Sequence, residues 1–429
     1  MRALPLLTAS TLLAGVAVVV PVVSVGATPH RVEPTVKVVR MPAGSPFVSG
    51  KPRGRVAPSP SATPAPTGDG SAAADAEGTQ SVLARATDGA DVVGVSFPDS
   101  GTARSAEVSV RTRVGRTWGP WTTAEPSDGA PDPGSSEAQR SKPTSEPVGV
   151  TGSDEVQVRV RSASGARMDR LSATFVDAGT SDADTALGAG PAASAGAAVA
   201  RPDIISRAQW GADESLRNCA TKTVTKTTGA VVHHTVNANS YTASQAASIV
   251  RGIYAYHTTS NGWCDIGYNY LVDRFGRSYE GRVGTGDHDV VGAHAAGFNS
   301  QTVGVASIGT HQSTVTGAST PSSDVLGAIG RVIGWRASSN GWDPASSGSF
   351  TSAGNSKYAA GKVVTKPRVS GHRDFNETSC PGDLAYSALA GIRSTASSLY
   401  RGGGSTASTT STPAPTAAAA PAPTAAPAP

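Results

Sequence analysis

From residue 82 the chain begins to alternate. In Ala106-Glu107-Val108-Ser109-Val110-Arg111-Thr112-Arg113-Val114 polar and apolar side chains take turns, and residues 155–161 repeat the pattern around Val156, Val158 and Val160. Successive side chains of a strand face opposite sides, so this period of two predicts strands with one face in a core. Residues 91–97 and 171–176 supply two more apolar runs, and Gly, Asp and Pro punctuate the intervals. Together they predict a small antiparallel all-β, sandwich-like domain over 82–178. Beyond residue 200 the period changes. Ala246, Ile249, Val250, Ile253 and His257 recur at helical spacing behind Thr242 and Gln245, which form a capping box. Helical periodicity returns at 325–335 and 386–400, while 229–235, 266–272, 278–282 and 302–309 read as short strands. Strands interleaved with helices predict an α/β domain over 201–400, with a central mixed β-sheet flanked by helices.

The remaining segments carry neither period. Residues 1–27 place Met1-Arg2 before an apolar run from Leu4 to Val25 and small residues at Gly26-Ala27, the layout of a cleaved secretory signal peptide. The run is also long enough for an uncleaved anchor, although its small-residue end favours cleavage. Residues 28–81 are rich in Pro, Ala and Ser and read as a linker, 179–200 as an Ala/Gly linker, and 401–429 as a low-complexity tail. A net charge of +4 without a Lys/Arg run gives no nucleic-acid footprint. Heavy use of Ala, Gly, Ser, Thr and Pro with sparse Lys suits a high-GC bacterial source such as an actinobacterium. The expected product is secreted, extracellular or wall-associated, without a membrane anchor after cleavage, and monomeric.

Secretion changes how the three cysteines, Cys219, Cys264 and Cys380, are read. An odd count outside the cell leaves one thiol with another job. One bridge plus an idle thiol, a bridge using Cys380, and a Cys219–Cys264 bridge with Cys380 on a metal all satisfy the count; a free thiol would oxidise, which favours metal. His233 lies in the strand Val231-Val232-His233-His234, and alternation lets only one of the two histidines face a given cleft. His372 and Cys380 flank the loop closed by Cys380-Pro381-Gly382. Two imidazoles and a thiolate form a Zn2+ set with a fourth position free, the arrangement of a hydrolytic zinc site. Arg373 and Asp374 are candidates to support it. Residues 82–178 hold no His or Cys, so no chemistry is expected there.

Val232-His233-His234-Thr235, Tyr256-His257, Cys264-Asp265-Ile266-Gly267-Tyr268-Asn269-Tyr270, Tyr279-Glu280-Gly281-Arg282, Gly292-Ala293-His294, Gly297-Phe298-Asn299, Val303-Gly304-Val305 and Gly371-His372-Arg373-Asp374 through Cys380-Pro381-Gly382 run in order along 201–400. In this the domain resembles the peptidoglycan recognition protein and type-2 N-acetylmuramoyl-L-alanine amidase family. The resemblance implies zinc held by His233, His372 and Cys380, and cleavage of the amide between N-acetylmuramic acid and L-alanine. It implies catalytic roles for Tyr268, as a donor to the developing oxyanion, and for Thr378 near the metal. It places His257, His294 and Asn299 along a groove for peptidoglycan, glycan strand plus stem peptide. It also implies a Cys219–Cys264 disulfide that pins the segment carrying Tyr268. No carboxylate is identified as general base; Glu280 is the nearest by motif. The alternative function is a non-catalytic peptidoglycan-binding protein, in which the zinc set is usually broken.

Overall fold

The computed structural model describes residues 31–41, 79–85, 89–127, 129–163, 168–189 and 201–404. The apolar leader 1–27, most of 28–81 and the tail from 405 lie outside them. Among the described residues no helix is long and apolar enough to cross a membrane.

Among the described residues, nine strands build the first domain: β1 Thr35–Arg40, β2 Thr79–Arg85, β3 Val92–Ser96, β4 Ala106–Val114, β5 Thr117–Trp118, β6 Thr122–Ala124, β7 Val148–Gly149, β8 Glu155–Ser162 and β9 Ser172–Asp177. They form two sheets, β1-β9-β3-β7 and β2-β8-β4-β5 with β6 on β4. The alternation in the sequence is the alternation of burial. Val108 and Val110 of β4 and Val156, Val158 and Val160 of β8 point into one core with Val93, Val95, Leu171 and Phe175 from the facing sheet. The linker reading of 28–81 is corrected here. β1 pairs antiparallel with β9 from Thr35↔Asp177 to Arg40↔Ser172, and β2 pairs along β8. β1 is a half-exposed edge strand inside a Pro/Ser-rich stretch, so its own pattern is too weak to stand out. Trp118 and Trp121 lie against the Arg111 guanidinium at 4.7 and 4.6 Å, packing on the sheet as cation–π pairs.

The linker reading of 179–200 is corrected in part as well. Following the single-turn α1 (Ser100–Ser105), helix α2 spans Asp182–Ala189 and docks on the second domain. It is held there by a buried ion pair, Arg251 Nη2 to Asp184 Oδ2 at 2.6 Å, and by the single apolar contact of Leu187, too little for periodicity to reveal. Val92 and Val176 of the sandwich pack on Ala255 and Tyr256 beside it.

The second domain contains β10 Ile204–Ile205, β11 Thr223–Val224, β12 Gly229–His234, α3 Ala246–Thr259, β13 Tyr270–Val272, β14 Ser278–Glu280, β15 Asp289–Val290, β16 Thr302–Ser307, α4 Ser323–Asn340, β17 Ser347–Thr351, β18 Val363–Pro367, β19 Val369–Gly371, α5 Asp383–Ser387 and α6 Leu389–Gly404. Its main sheet runs β10-β14-β13-β16-β12-β19, all parallel contacts except β13 with β14. The capping box is formed: the Gln245 side chain accepts from Thr242 N at 2.7 Å, and one 3-10 turn leads into α3. Ile249, Val250 and Ile253 of α3 cover one face of the sheet, while α4 and α6 cover the other through Val332, Ile333, Ile392 and Ala396. The strand predicted at 266–272 shortens to β13, because residues 264–269 form the bridge-pinned loop described below.

Candidate metal centre

Strand register places the first two candidate ligands. β12 lies between β16 and β19 in parallel, with Val232 opposite Gly371. His233 and His372 each follow by one residue, so both imidazoles leave the carboxyl ends of neighbouring parallel strands, where open α/β sheets build their sites. Val232 packs toward α4 and α6 and Val231 the other way with Ala295 and Phe298, which sends His233 to the side opposite the α4–α6 core. Cys380 arrives from the loop after His372. Arg373 N donates to Cys380 O at 2.9 Å and its guanidinium to Ser379 O, closing that loop. Asp374 accepts from Gly371 N at 2.9 Å and from the Tyr386 hydroxyl at 2.8 Å, fixing the turn that carries His372. Arg373 and Asp374 therefore support the ligands through the backbone, not through their imidazoles. Gly382 takes φ +84° and lies where a Cβ would collide with the His311 backbone.

The ligand atoms of His233, His372 and Cys380 lie within 4.8 Å of one another, all buried. Cys380 Sγ is 3.7 Å from His233 Nδ1. The donor set fits a zinc-type cation. His372 Nε2 is buried without a hydrogen-bond partner, an orphan that a cation would satisfy. Burial pushes the Cys380 thiol well above its ordinary range, so a thiolate here needs a positive neighbour. Burial, then the neighbouring His372 and His294, hold His233 far below the ordinary imidazole value, and burial pushes His372 down to about 3. Both rings are neutral at pH 7 and free to ligate.

His233 Nε2 meets His294 Nδ1 at 3.0 Å, and His294 Nε2 faces Thr302 O at 3.4 Å. The carbonyl can only accept, so the tautomers that satisfy the chain put hydrogens on both Nε2 atoms and leave His233 Nδ1 bare toward Cys380. His294 thus orients a ligand, with both nitrogens engaged, instead of offering one to a groove. Gly304 is what lets it lie there: any Cβ would collide with the imidazole. His294→Ala is expected to weaken zinc affinity by about 10–100-fold while the fold persists, measured by competition with a chromogenic chelator.

The other expected residues divide. Tyr268 lines the cavity, its ring centroid 5.3 Å from that of His233, and its hydroxyl is kept protonated by burial and then by the charges of Glu146 and Cys380. The bridge Cys219–Cys264 is present and ties down the loop leading to it. Thr378 also lines the cavity. Asn299 accepts from His294 N at 2.7 Å and from Ala295 N at 2.9 Å, bracing that turn. His257 does not reach the cavity. It is buried behind Trp263 and Tyr268 and accepts from Gly267 N at 3.1 Å. Glu280 is also elsewhere, accepting from Gly284 N at 3.1 Å. His234 lines the cavity from the far side, its Nδ1 accepting from His311 N at 3.2 Å.

Among the described residues two carboxylates reach the site, and both come from the domain for which the sequence predicts no chemistry. Glu125 accepts from Thr378 Oγ1 at 3.0 Å, from Ser379 N at 3.2 Å and from the Ser379 hydroxyl. Glu146 lines the same cavity, accepts from Ser127 Oγ at 2.7 Å, and is pushed by burial up to about 7. No local pattern marks either one; they become functional candidates only when the sandwich docks.

Sheet order and helix layers define an α/β domain with a mixed central sheet behind an all-β module, and its strand ends carry a His/His/Cys cluster able to hold a metal ion. Residues 223–383 match the family model for N-acetylmuramoyl-L-alanine amidase, and residues 52–190 match one described as N-terminal galactose-binding domain-like. Peptidoglycan-recognition protein SC2 of Drosophila melanogaster is 33% identical over 190 residues, 43% of this chain and 83% of that protein. Peptidoglycan recognition protein 1 of Bos taurus is 28% identical over 192 residues, 44% and 84% respectively. Wild-type Drosophila PGRP-LB aligns with a TM-score of 0.34 at 23% identity, over 44% of this chain and 92% of that one. The chain belongs to the peptidoglycan recognition protein and type-2 amidase family, with a galactose-binding-like all-β domain ahead of its amidase-type domain.

Proposed function

We propose that the protein is a secreted zinc-dependent N-acetylmuramoyl-L-alanine amidase, hydrolysing the amide between N-acetylmuramic acid and L-alanine during cell-wall remodelling or degradation. Family membership supports peptidoglycan binding or amidase activity. The observation that favours hydrolysis is the intact His233, His372 and Cys380 cluster facing Tyr268 in one cavity. Export to the wall is supported by the leader-like residues 1–27 and by the Cys219–Cys264 disulfide, a bond typical of oxidising compartments.

His233, His372 and Cys380 would hold Zn2+, which when bound polarises the amide carbonyl and acidifies water. Tyr268, a neutral hydroxyl in a water-poor cavity, donates to the oxygen that gains negative charge. Glu146, with a carboxyl near neutral pKa, takes the proton of the attacking water and returns it to the departing L-alanine amine. Thr378 donates to Glu125 and accepts from Cys380 N at 3.1 Å, holding the thiolate loop in register.

Purified wall digested by the protein should release free stem peptides with an L-alanine amino terminus. Chelator should stop release, and added zinc should restore it, as read by mass spectrometry of the products. Binding to wall with no release under any metal condition, by wild type and by Asp132→Ala alike, would leave a recognition protein instead.

A further inference from the structure

The cavity that holds the ligand cluster has a volume of only ≈ 20 Å³, room for about one water molecule. A muramyl peptide cannot enter it. On the side of the other domain it is lined by Glu125, Gly129 and Glu146, and Gly129 begins the segment that lies across its rim. Between β6 and β7 the chain makes a long loop, and its stretch 129–142 lies on the amidase domain. Gly129 approaches Trp263 and the Ala293 carbonyl, where a Cβ would sit 3.4 Å from each. Ala130 O and Asp132 Oδ1 each accept from Asn299 Nδ2 at 2.8 Å. Asp132 also accepts from Asn299 N at 3.1 Å and from Ser300 N at 3.2 Å. Farther along, Glu137 accepts from both terminal nitrogens of Arg282, at 3.0 and 2.7 Å, and from Cys264 N at 2.9 Å. Lys142 N donates to Asn261 O at 2.9 Å.

We infer that residues 129–142 form an autoinhibitory lid over the metal cavity, with Ala130 and Asp132 occupying Asn299 and Ser300 in place of a substrate carbonyl and carboxylate. Three observations carry this. First, the lid's contacts with the amidase domain are mainly hydrogen bonds and an ion pair, whereas the sandwich itself docks through Val92, Val176, Ala255 and Tyr256 and the buried Arg251–Asp184 pair. The lid can therefore lift while the domains stay joined. Second, both ends of the loop are pinned to the sandwich: Ser127 N donates to Thr144 O at 2.8 Å, Phe97 N to Pro143 O at 2.9 Å and Ser145 N to Val95 O at 2.8 Å. Lifting needs no rearrangement of the sheets, and Glu146 stays in place. Third, long loops whose ends lie close together are the usual carriers of lids. The donors that Asp132 satisfies are two backbone N–H groups and one side-chain amide. Such groups are suited to a peptide carbonyl or carboxylate, so the inference rests on the peptidoglycan reading of this groove.

Full-length Asp132→Ala and Glu137→Gln act at opposite ends of the lid and are the test. Three measurements follow: alkylation of Cys380 by iodoacetamide in metal-free protein, calorimetric binding of a soluble muramyl pentapeptide to metal-free protein, and hydrolysis rate with zinc. Each variant should raise alkylation and binding about tenfold or more over wild type, because the closed state loses charged hydrogen bonds that the open state never had. Asp132→Asn, which keeps one acceptor oxygen, should fall between. Unchanged alkylation in both folded variants, or weaker binding in both, would overturn the lid; the second result would make residues 129–142 part of the substrate surface. Faster alkylation without muramyl-peptide binding in any variant would uphold the lid and remove the peptidoglycan reading.

Discussion

Cys380→Ser is expected, on the proposed zinc-amidase function, to bind no zinc and to lose hydrolysis by about 10³-fold or more, the several kcal/mol that a Lewis acid contributes to an acyl-transfer barrier. The sulfur is the only anionic donor in a cluster whose other two members are neutral imidazoles, so removing it removes the charge that makes a buried dication tolerable. Serine is nearly the same size, and the loop that presents it is held by other groups: Arg373 to Ser379 O, and Cys380 N to Thr378 Oγ1. The variant should therefore fold with an unchanged circular dichroism spectrum while metal analysis of the purified protein finds no stoichiometric zinc. Full activity in a zinc-free Cys380→Ser protein would end the metal reading.

Tyr268→Phe is expected to lower kcat by about 10²–10³-fold with little change in KM or zinc content, the usual cost of removing one preorganised donor to an oxyanion. The ring remains, so its packing in the core beside Ile266 and Leu271 is preserved. The hydroxyl is the group lost, and burial keeps it protonated across the physiological range, so no pH limb near neutrality should vanish with it. A variant that keeps full kcat would show that the tyrosine is a packing residue. A variant that loses zinc would show that it acts on the ligands.

Much of the site is legible from local sequence because the chemistry is concentrated in short motifs. His233 lies at the end of a continuous buried strand, and His372 and Cys380 share one loop, so residue type and spacing already suggest a donor set. Val303-Gly304-Val305 is a motif without an evident purpose until His294 is seen lying where a Cβ would be. His294 and His257 look interchangeable in sequence, each a polar residue in a family segment. The structure separates them by partner: one sets the tautomer of a ligand, the other buttresses the loop at Gly267. Glu280 stands out by motif, yet its strand directs it away from the cavity.

The amino-acid sequence by itself determined the two domain types and the helix and strand periods, since these depend on a period of 2 or 3.6, and it marked His233, His372 and Cys380 as a candidate donor set by residue type and motif. Only the tertiary structure decided that β1, from a Pro/Ser-rich stretch, completes a sheet with β9, and that α2 is a docked helix held by Arg251 and Asp184. It alone brought Glu125, Glu146 and Asp132 onto a site built by the other domain. Carboxylates in a polar loop have no periodicity to mark them. Their chemistry comes from burial and from the partners that docking supplies, and those are properties of the packed domains rather than of any segment.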